Sequence, residues 1–230
     1  KTKGAQLIIE NGLGLESWIS KFTISAGNIP RVKLTEGLKP LLIDGDVYAG
    51  KPNPHAWMSP ERAIYYVDKI VAAFIEIDPE GEIEYRTNAS NYKSKLKALD
   101  KELRDSLSSI PKERRFLVTC EGAFSYLASD YGMKEGYLWP VNAESQVTPR
   151  RMVDLIELIK ENEVPTIFCE STVSAKAQKE VAKASNSVFG GTFYVDSLSE
   201  AGGPASTYID LLRHNVRLIT EGLIPKSNNK

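Results

Sequence analysis

Apolar residues recur along this chain with helical spacing in some segments and as short continuous runs in others, and the two patterns predict different elements. The longest stripe lies on a charged segment and steps by three or four residues: Tyr92, Leu96, Leu99, Leu103, Leu107 and Ile110. It predicts an amphipathic helix that ends at Pro111. A second helix is predicted from Ser59-Pro60, a capping residue followed by a first-turn proline, to about Ile77. An apolar strand at residues 5–9 precedes both helices.

After Pro111, short apolar runs alternate with helical patterns. The runs predict strands at residues 115–120, 136–141, 166–169 and 191–195. The intervening patterns predict helices at residues 123–131, 149–162, 175–184 and 207–222, the second of them capped by Thr148. This alternation indicates β-α units and a parallel sheet, so the fold class is α/β.

Composition and charge exclude some classes of partner. The chain has 230 residues and a formal net charge of −1, so no basic surface is available to neutralise the phosphates of a nucleic acid. No apolar run approaches the length of a membrane span. The sequence lacks the G-x-S-x-G, H-E-x-x-H, P-loop and dinucleotide-binding motifs. Nucleophilic catalysis is therefore not expected.

Four side chains are candidates for metal binding. In an open parallel sheet, ligands bind beyond the carboxyl ends of the strands, where the predicted strands place Glu121, Glu170 and Asp196. His55 lies in the loop "PNPHAWMSP", just before a predicted helix. Carboxylates with one imidazole form an oxygen-rich donor set, which favours Mn²⁺ or Fe²⁺ over Zn²⁺.

Each candidate also has a structural interpretation. His55 can be an ordinary hydrogen-bonded side chain, Glu121 a carboxylate that stabilises a helix N-terminus, and Asp196 a turn or capping residue. Glu170 can support a ligand without touching the metal. His214 lies inside the last predicted helix, and we interpret it as structural.

The two cysteines, Cys120 and Cys169, each end a predicted strand and each precede a glutamate. They can be two reduced core cysteines, or they can form a disulfide, which indicates an oxidising compartment. The residues alone leave these alternatives equal.

Five segments together resemble the metal-specific (cluster A-I) solute-binding proteins of bacterial ABC importers for manganese, zinc and iron: "GLGLESWISKF", "NPHAWMSPERA", "VTCEGAFSYLASDYGM", "TPRRMVDLIELIKENEVPTIFCEST" and "VDSLSEAGGPASTYIDLLRHN". The resemblance covers nearly the whole chain and keeps the order of the motifs. The cysteine pair most resembles the manganese-binding, cyanobacterial-type branch, in which the equivalent pair is bridged. The resemblance therefore implies a Cys120–Cys169 disulfide.

The resemblance also implies the site. It places metal ligands at His55, Glu121 and Asp196, and the glutamate at the middle position is similar to that of manganese-binding members. The family's first ligand, a histidine in an N-terminal loop, has no counterpart here. We therefore expect an incomplete N-terminal lobe and weakened metal binding.

The resemblance implies two lobes with parallel sheets, joined by one long rigid helix. We expect a partial N-terminal lobe at residues 1–85, the linking helix at 86–110 and a C-terminal lobe at 111–230. The expected function is capture of Mn²⁺ between the lobes, in the periplasm or on the extracytoplasmic face of the membrane, and delivery to the permease of an ABC importer. We expect a monomer. The alternatives are a Zn²⁺- or Fe²⁺-binding member, a metal-dependent hydrolase with Glu170 as base, and an adhesin.

Overall fold

The computed structural model describes residues 4–19, 29–44, 48–141 and 147–224. The chain divides into two units, one formed by residues 1–43 and 50–100 and the other by residues 44–49 and 101–230. The chain leaves the first unit for the last time between residues 100 and 101, within its longest described helix.

The first unit begins with two short parallel strands, β1 (Ile8–Glu10) and β2 (Arg31–Lys33), which pair from Ile8 and Arg31 onward. A 3₁₀ turn (Ala56–Met58) leads into helix α1 (Pro60–Ile77), and helix α2 (Glu82–Ser108) follows. The sequence predicts α1 and α2 closely. It does not predict β2, because that strand is short and its two charged ends are exposed, as in a turn.

The described part of the second unit alternates strands with helices: β3 (Phe116–Glu121), α3 (Ser125–Asp130), β4 (Lys134–Trp139), α4 (Pro149–Glu161), β5 (Thr166–Glu170), α5 (Lys176–Ser185), β6 (Val188–Phe193) and α6 (Tyr208–Leu223). Strand β3 pairs in parallel with β4, and β5 pairs in parallel with β6. β3 and β5 lie side by side between them. The predicted α/β class with parallel strands and a long helix is confirmed.

Strand β6 lies about three residues earlier than the sequence predicts. Its apolar pattern is interrupted by Gly190 and Gly191, and its pairing with β5 shifts register between Ile167 and Phe168. A Cβ at residue 190 would come within 2.3 Å of the Thr166 side chain, so this position requires glycine. Asp196 consequently lies three residues beyond its strand, whereas Glu121 and Glu170 are the last residues of theirs.

The core of the second unit lies on both faces of the strands. One face packs against α4 and α5, with Val118, Leu138, Leu155, Ile167 and Val181 buried together. On the other face, the Phe193 ring stacks on Phe168 at 4.5 Å and contacts Phe124 at 5.1 Å. The leucines of the predicted stripe on α2 are almost completely buried, whereas Tyr92 is partly exposed. Within the described residues, no helix is both long enough and apolar enough to cross a membrane.

Cys120 and Cys169 form a disulfide that joins the carboxyl ends of β3 and β5, with their Cα atoms 4.8 Å apart. The bridge implied by the family resemblance is thus confirmed. Because Glu121 and Glu170 directly follow the two cysteines, the bridge also fixes the spacing of these two carboxylates.

A half-buried carboxyl group on β4 makes the stability of the second unit depend on pH. Burial raises the pKa of Glu135 from its ordinary value of 4.5 to about 7, and the charge of Asp44 adds to the rise, although a hydrogen bond with Ser125 opposes it. Between pH 4.5 and about 7 the folded state therefore holds a proton that the unfolded chain has lost. The contribution of Glu135 to the free energy of unfolding therefore rises as pH falls through this range, by roughly 1–3 kcal/mol.

Denaturant unfolding of the wild type and Glu135→Gln between pH 8 and pH 5 measures this contribution. Since glutamine does not titrate, we expect the variant to lose that part of the gain at lower pH. Identical pH dependence in the two proteins would contradict the assignment to Glu135.

Candidate metal centre

His55 is held in one tautomer by the residue two positions before it. The Oδ1 atom of Asn53 accepts a hydrogen bond from the backbone N–H of His55 at 3.0 Å and lies 2.9 Å from the ring Nδ1. An atom that accepts from a backbone N–H is an oxygen, so Nδ1 must carry a proton to bond with it. The other ring nitrogen, Nε2, then has the lone pair that a metal requires. A ligating histidine commonly has such a bond at its second nitrogen.

The imidazole of His55 is also kept neutral. Its side chain is 1% exposed, and burial lowers the pKa of His55 from its ordinary value of 6.5 to about 3. The ring of Trp57 lies against it, with a distance of 5.1 Å between ring centroids. His55 is therefore uncharged across neutral and mildly acidic pH, as a metal ligand must be.

The loop that contains His55 is fixed to the N-terminal segment of the first unit. The Nδ2 atom of Asn11 donates to the carbonyl oxygen of Pro54 at 3.0 Å, and the hydroxyl of Tyr66 donates to Oδ1 of Asn11 at 2.6 Å. Ala56 and Met58 anchor the other side of the loop, since both are fully buried. The main chain around His55 is therefore restrained on both sides.

The glycine-containing stretch "NGLGLES" serves this restraint. The carboxylate of Glu16 accepts the backbone N–H groups of Asn11 and Gly12 at 2.6 and 3.0 Å. Gly12 has φ of +91°, and a Cβ there would lie 2.6 Å from Oγ1 of Thr35. Glycine is thus required, and the turn places Asn11 beside the loop of His55. The sequence analysis missed this role of Asn11.

In the second unit, Glu121 and Glu170 lie side by side at the ends of β3 and β5. They are 5% and 1% exposed, and the backbone N–H of Glu121 donates to Oε1 of Glu170 at 3.4 Å. The other oxygen of Glu170, Oε2, is buried and has no hydrogen-bond partner among the described residues. Burial raises the pKa of Glu170 to about 8, and the charges of Glu121 and Asp196 add to the rise. Glu170 is therefore mostly protonated at neutral pH.

Asp196 lies in the loop after β6. Its surface is exposed, but the surrounding protein removes enough water to raise the pKa of its carboxyl group. The hydroxyls of Ser171 and Ser197 are 2.8 Å apart, and the N–H of Ser171 donates to the carbonyl of Phe193 at 2.8 Å. The chain directly after Glu170 is therefore joined to the loop that carries Asp196.

The acidic side chains of the second unit do not form a closed metal cage. In the described parts of the chain, one trio of potential ligand atoms lies within 4.8 Å of one another, and it comprises Cys120, Cys169 and Glu170. The two sulfurs are bonded to each other, so they cannot act as thiolates.

The two histidines differ in their settings. His214 on α6 has Nε2 at 3.0 Å from the carbonyl oxygen of Thr192, which supports its interpretation as a structural residue. His55 belongs to the first unit and the three acids belong to the second. The binding of one metal ion by His55, Glu121 and Asp196 therefore remains a prediction.

The fold and its relatives define a class, the metal-binding substrate-binding proteins of ABC transporters. The family described as "Zinc-uptake complex component A periplasmic" (ZnuA) matches residues 1–222. This chain belongs to that family.

Similar proteins differ in the metal that their names give. The "Iron-binding protein YfeA" of Yersinia pestis is 49% identical over 222 residues, which are 96% of this chain and 71% of the relative. The "Manganese ABC transporter substrate-binding lipoprotein PsaA" of Streptococcus pneumoniae is 33% identical over 230 residues, with 97% and 74% covered.

Solved structures are similar over almost the whole chain. The Mn-bound periplasmic metal binding protein from Candidatus Liberibacter asiaticus has a TM-score of 0.88 at 36% identity, and 97% of this chain and 82% of that chain are covered. The periplasmic zinc binding protein TroA from Treponema pallidum has a TM-score of 0.88 at 27% identity, with 97% and 83% covered.

Proposed function

We propose that this protein captures a divalent transition metal ion outside the cytoplasm and delivers it to the permease of an ABC importer. Membership of the family supports this role. Relatives named as substrate-binding lipoproteins, and similar structures named as periplasmic proteins, support a location in the periplasm or on the extracytoplasmic face of the membrane.

The proposed ligands are His55, Glu121 and Asp196. The observation that carries the proposal is the bond between Asn53 and Nδ1 of His55, because it gives Nε2 a lone pair on a neutral, preoriented ring. Glu121 and Asp196 contribute negative charge to the same proposed donor set. Glu170 receives the backbone N–H of Glu121 and so supports a ligand without binding the metal itself.

Mn²⁺ is the cargo that this donor set favours. Two carboxylates and one imidazole are hard to borderline ligands, whereas Zn²⁺ sites usually contain more nitrogen or sulfur. Relatives named for manganese support this choice. Zn²⁺ and Fe²⁺ are the alternatives, since relatives and similar structures are also named for zinc and iron.

The proposed role is binding without catalysis. A hydrolase that used metal-bound water would need a general base, and the candidate is Glu170, whose Oε1 accepts the backbone N–H of Glu121. Burial raises the pKa of Glu170 to about 8, so without a bound ion the group holds a proton at neutral pH. Membership of a family of substrate-binding proteins supports binding as the role.

Calorimetric titration of the chelator-treated protein with Mn²⁺ tests the proposal. We expect the wild type to bind one ion, and Asp196→Ala to bind at least about 100-fold more weakly, because it loses a charged donor. Asp154→Ala is the matched control, since Asp154 is an exposed aspartate of the same unit. Equal Mn²⁺ affinity in the wild type and Asp196→Ala would contradict the ligand assignment.

A further inference from the structure

Of the two proposed ligands in the second unit, Asp196 is the one that no strand or helix holds. Strand β6 ends at Phe193, which pairs with Glu170, and α6 begins only at Tyr208. The direction of the Asp196 carboxylate therefore depends on what fixes the main chain next to it.

A buried amide on α6 fixes that main chain. The Oδ1 atom of Asn215 accepts the backbone N–H of Tyr194 at 3.0 Å, and its Nδ2 atom donates to the carbonyl of the same residue at 2.7 Å. The Asn215 side chain is completely buried. One amide thus replaces the peptide of a neighbouring strand at the point where the ladder of β6 has ended.

The adjacent residue of α6 extends this anchor. Nε2 of His214 lies 3.0 Å from the carbonyl oxygen of Thr192, and the rings of His214 and Tyr194 are in edge contact at 5.4 Å. Helix α6 therefore holds the main chain from residue 192 to residue 194, two positions before Asp196.

On its other side, Asp196 is followed by a loop that is closed mainly by its own atoms. The N–H of Ser199 donates to the carbonyl of Ala205 at 2.9 Å, and the N–H of Ala205 donates to Oγ of Ser199 at 3.0 Å. This closure gives the loop its shape, and Ser197 also contacts the hydroxyl of Ser171. The anchor at Tyr194 attaches the main chain before Asp196 to helix α6.

We propose that Asn215 is a positioning residue for metal binding, which acts through the main chain of Tyr194 to aim the carboxylate of Asp196. The proposal rests on the proposed function, in which Asp196 is a ligand. Without the amide, the part-buried N–H and carbonyl of Tyr194 lose their partners, and the peptide is free to rotate toward others. Asp196 then occupies the binding geometry for a smaller fraction of the time, so the affinity for metal falls.

The test is a set of Mn²⁺ titrations on the chelator-treated full chain. We expect Asn215→Ala to weaken Mn²⁺ binding by about 10- to 100-fold, the range for outer partners of metal ligands. Asn215→Gln keeps an amide that can accept from the N–H of Tyr194 and donate to its carbonyl, so it should recover part of this loss. It also serves as the test variant if the alanine variant does not fold.

Thr166→Val is the matched control. Thr166 on β5 is nearly buried, and its Oγ1 donates to the carbonyl of Gly222 at 2.7 Å. Gly222 lies on α6, as Asn215 does, but at the C-terminal end of the helix. We expect this variant to unfold at a lower temperature with unchanged Mn²⁺ affinity. A purely structural role of Asn215 would give the same result as Thr166→Val.

A double-mutant comparison separates this inference from the proposed function. If Asn215 acts through Asp196, adding Asn215→Ala to the Asp196→Asn variant should cause little further loss of Mn²⁺ affinity. These weak affinities are measured at millimolar Mn²⁺ by water-proton relaxation. The inference about Asn215 is overturned, and the ligand assignment is not, if Asn215→Ala lowers Mn²⁺ affinity equally with and without Asp196→Asn. The same holds if Asn215→Ala alone causes no loss of affinity. Wild-type affinity in Asp196→Asn overturns the ligand assignment, and the inference with it.

Discussion

Replacement of His55 by glutamine should lower Mn²⁺ affinity by at least about 100-fold, the upper end of the losses seen for outer partners of metal ligands. Glutamine has a similar volume but lacks Nε2, the ring nitrogen that carries the lone pair in this tautomer of His55. Its neutral amide must also give up its own hydrogen bonds before it can face a metal. We therefore expect the variant to remain folded and to bind Mn²⁺ only weakly.

His214→Gln is the control, because the chain contains only these two histidines. Glutamine at residue 214 retains a side-chain N–H group that can donate to the carbonyl of Thr192, which Nε2 of His214 contacts. Because His214 also contacts the ring of Tyr194, close to Asp196, we expect a small loss of Mn²⁺ affinity in the same titration, well below that of His55→Gln. A loss of similar size in both variants would mean that His55 acts only as a structural residue.

Removal of the disulfide should cause the largest loss of stability. The bridge between Cys120 and Cys169 spans 49 residues. In the chain-entropy account, a closed loop of this length contributes about 4 kcal/mol to the free energy of unfolding. We expect Cys120→Ala/Cys169→Ala to unfold at a lower guanidinium concentration by a corresponding amount, as measured by circular dichroism.

Reduced wild type is the matched comparison. Under dithiothreitol in denaturant, the wild type should unfold near the midpoint of the double variant, whose own midpoint should not change with reductant. If the double variant unfolds at the wild-type midpoint in the absence of reductant, the bridge does not contribute to stability. Weaker Mn²⁺ binding of the double variant would accompany the loss, since the bridge spaces Glu121 and Glu170.

Helices and the strands of the second unit could be predicted because local pattern decides them. Helix α4 lies at Pro149–Glu161, and its N-cap Thr148 accepts the N–H of Arg151, as the spacing indicates. The predicted start of helix α1 was also correct, but for a different reason. Ser59 makes no side-chain capping bond, so Pro60 rather than a cap marks the start of α1.

Strand β6 was misplaced because long-range packing decides it. Its two glycines look like loop residues in the sequence, yet the side chains of Thr166 and Phe168 leave no room for a Cβ at residue 190. Strand β2 was missed for a related reason, since three residues with polar ends carry too little pattern.

The ligand candidates could be found from the sequence, but the residues that orient them could not. His55 and Glu121 are notable in the sequence as a rare residue type and as a carboxylate at a strand end. Asn11, Asn53 and Asn215 are ordinary polar residues there. Asn11 meets Pro54 across 43 positions and Asn215 meets Tyr194 across 21, and no local pattern encodes such contacts.

The way the chain is divided between the units has a practical consequence for dissecting the protein. Residues 44–49 belong to the second unit although they lie within the sequence of the first, and Tyr48 packs against the core around Val118 and Ile167. A fragment that starts at residue 101 would therefore lack an aromatic side chain of its own interior. A single proteolytic cut therefore cannot release both units intact. A recombinant second unit should carry residues 44–49 joined to residues 101–230.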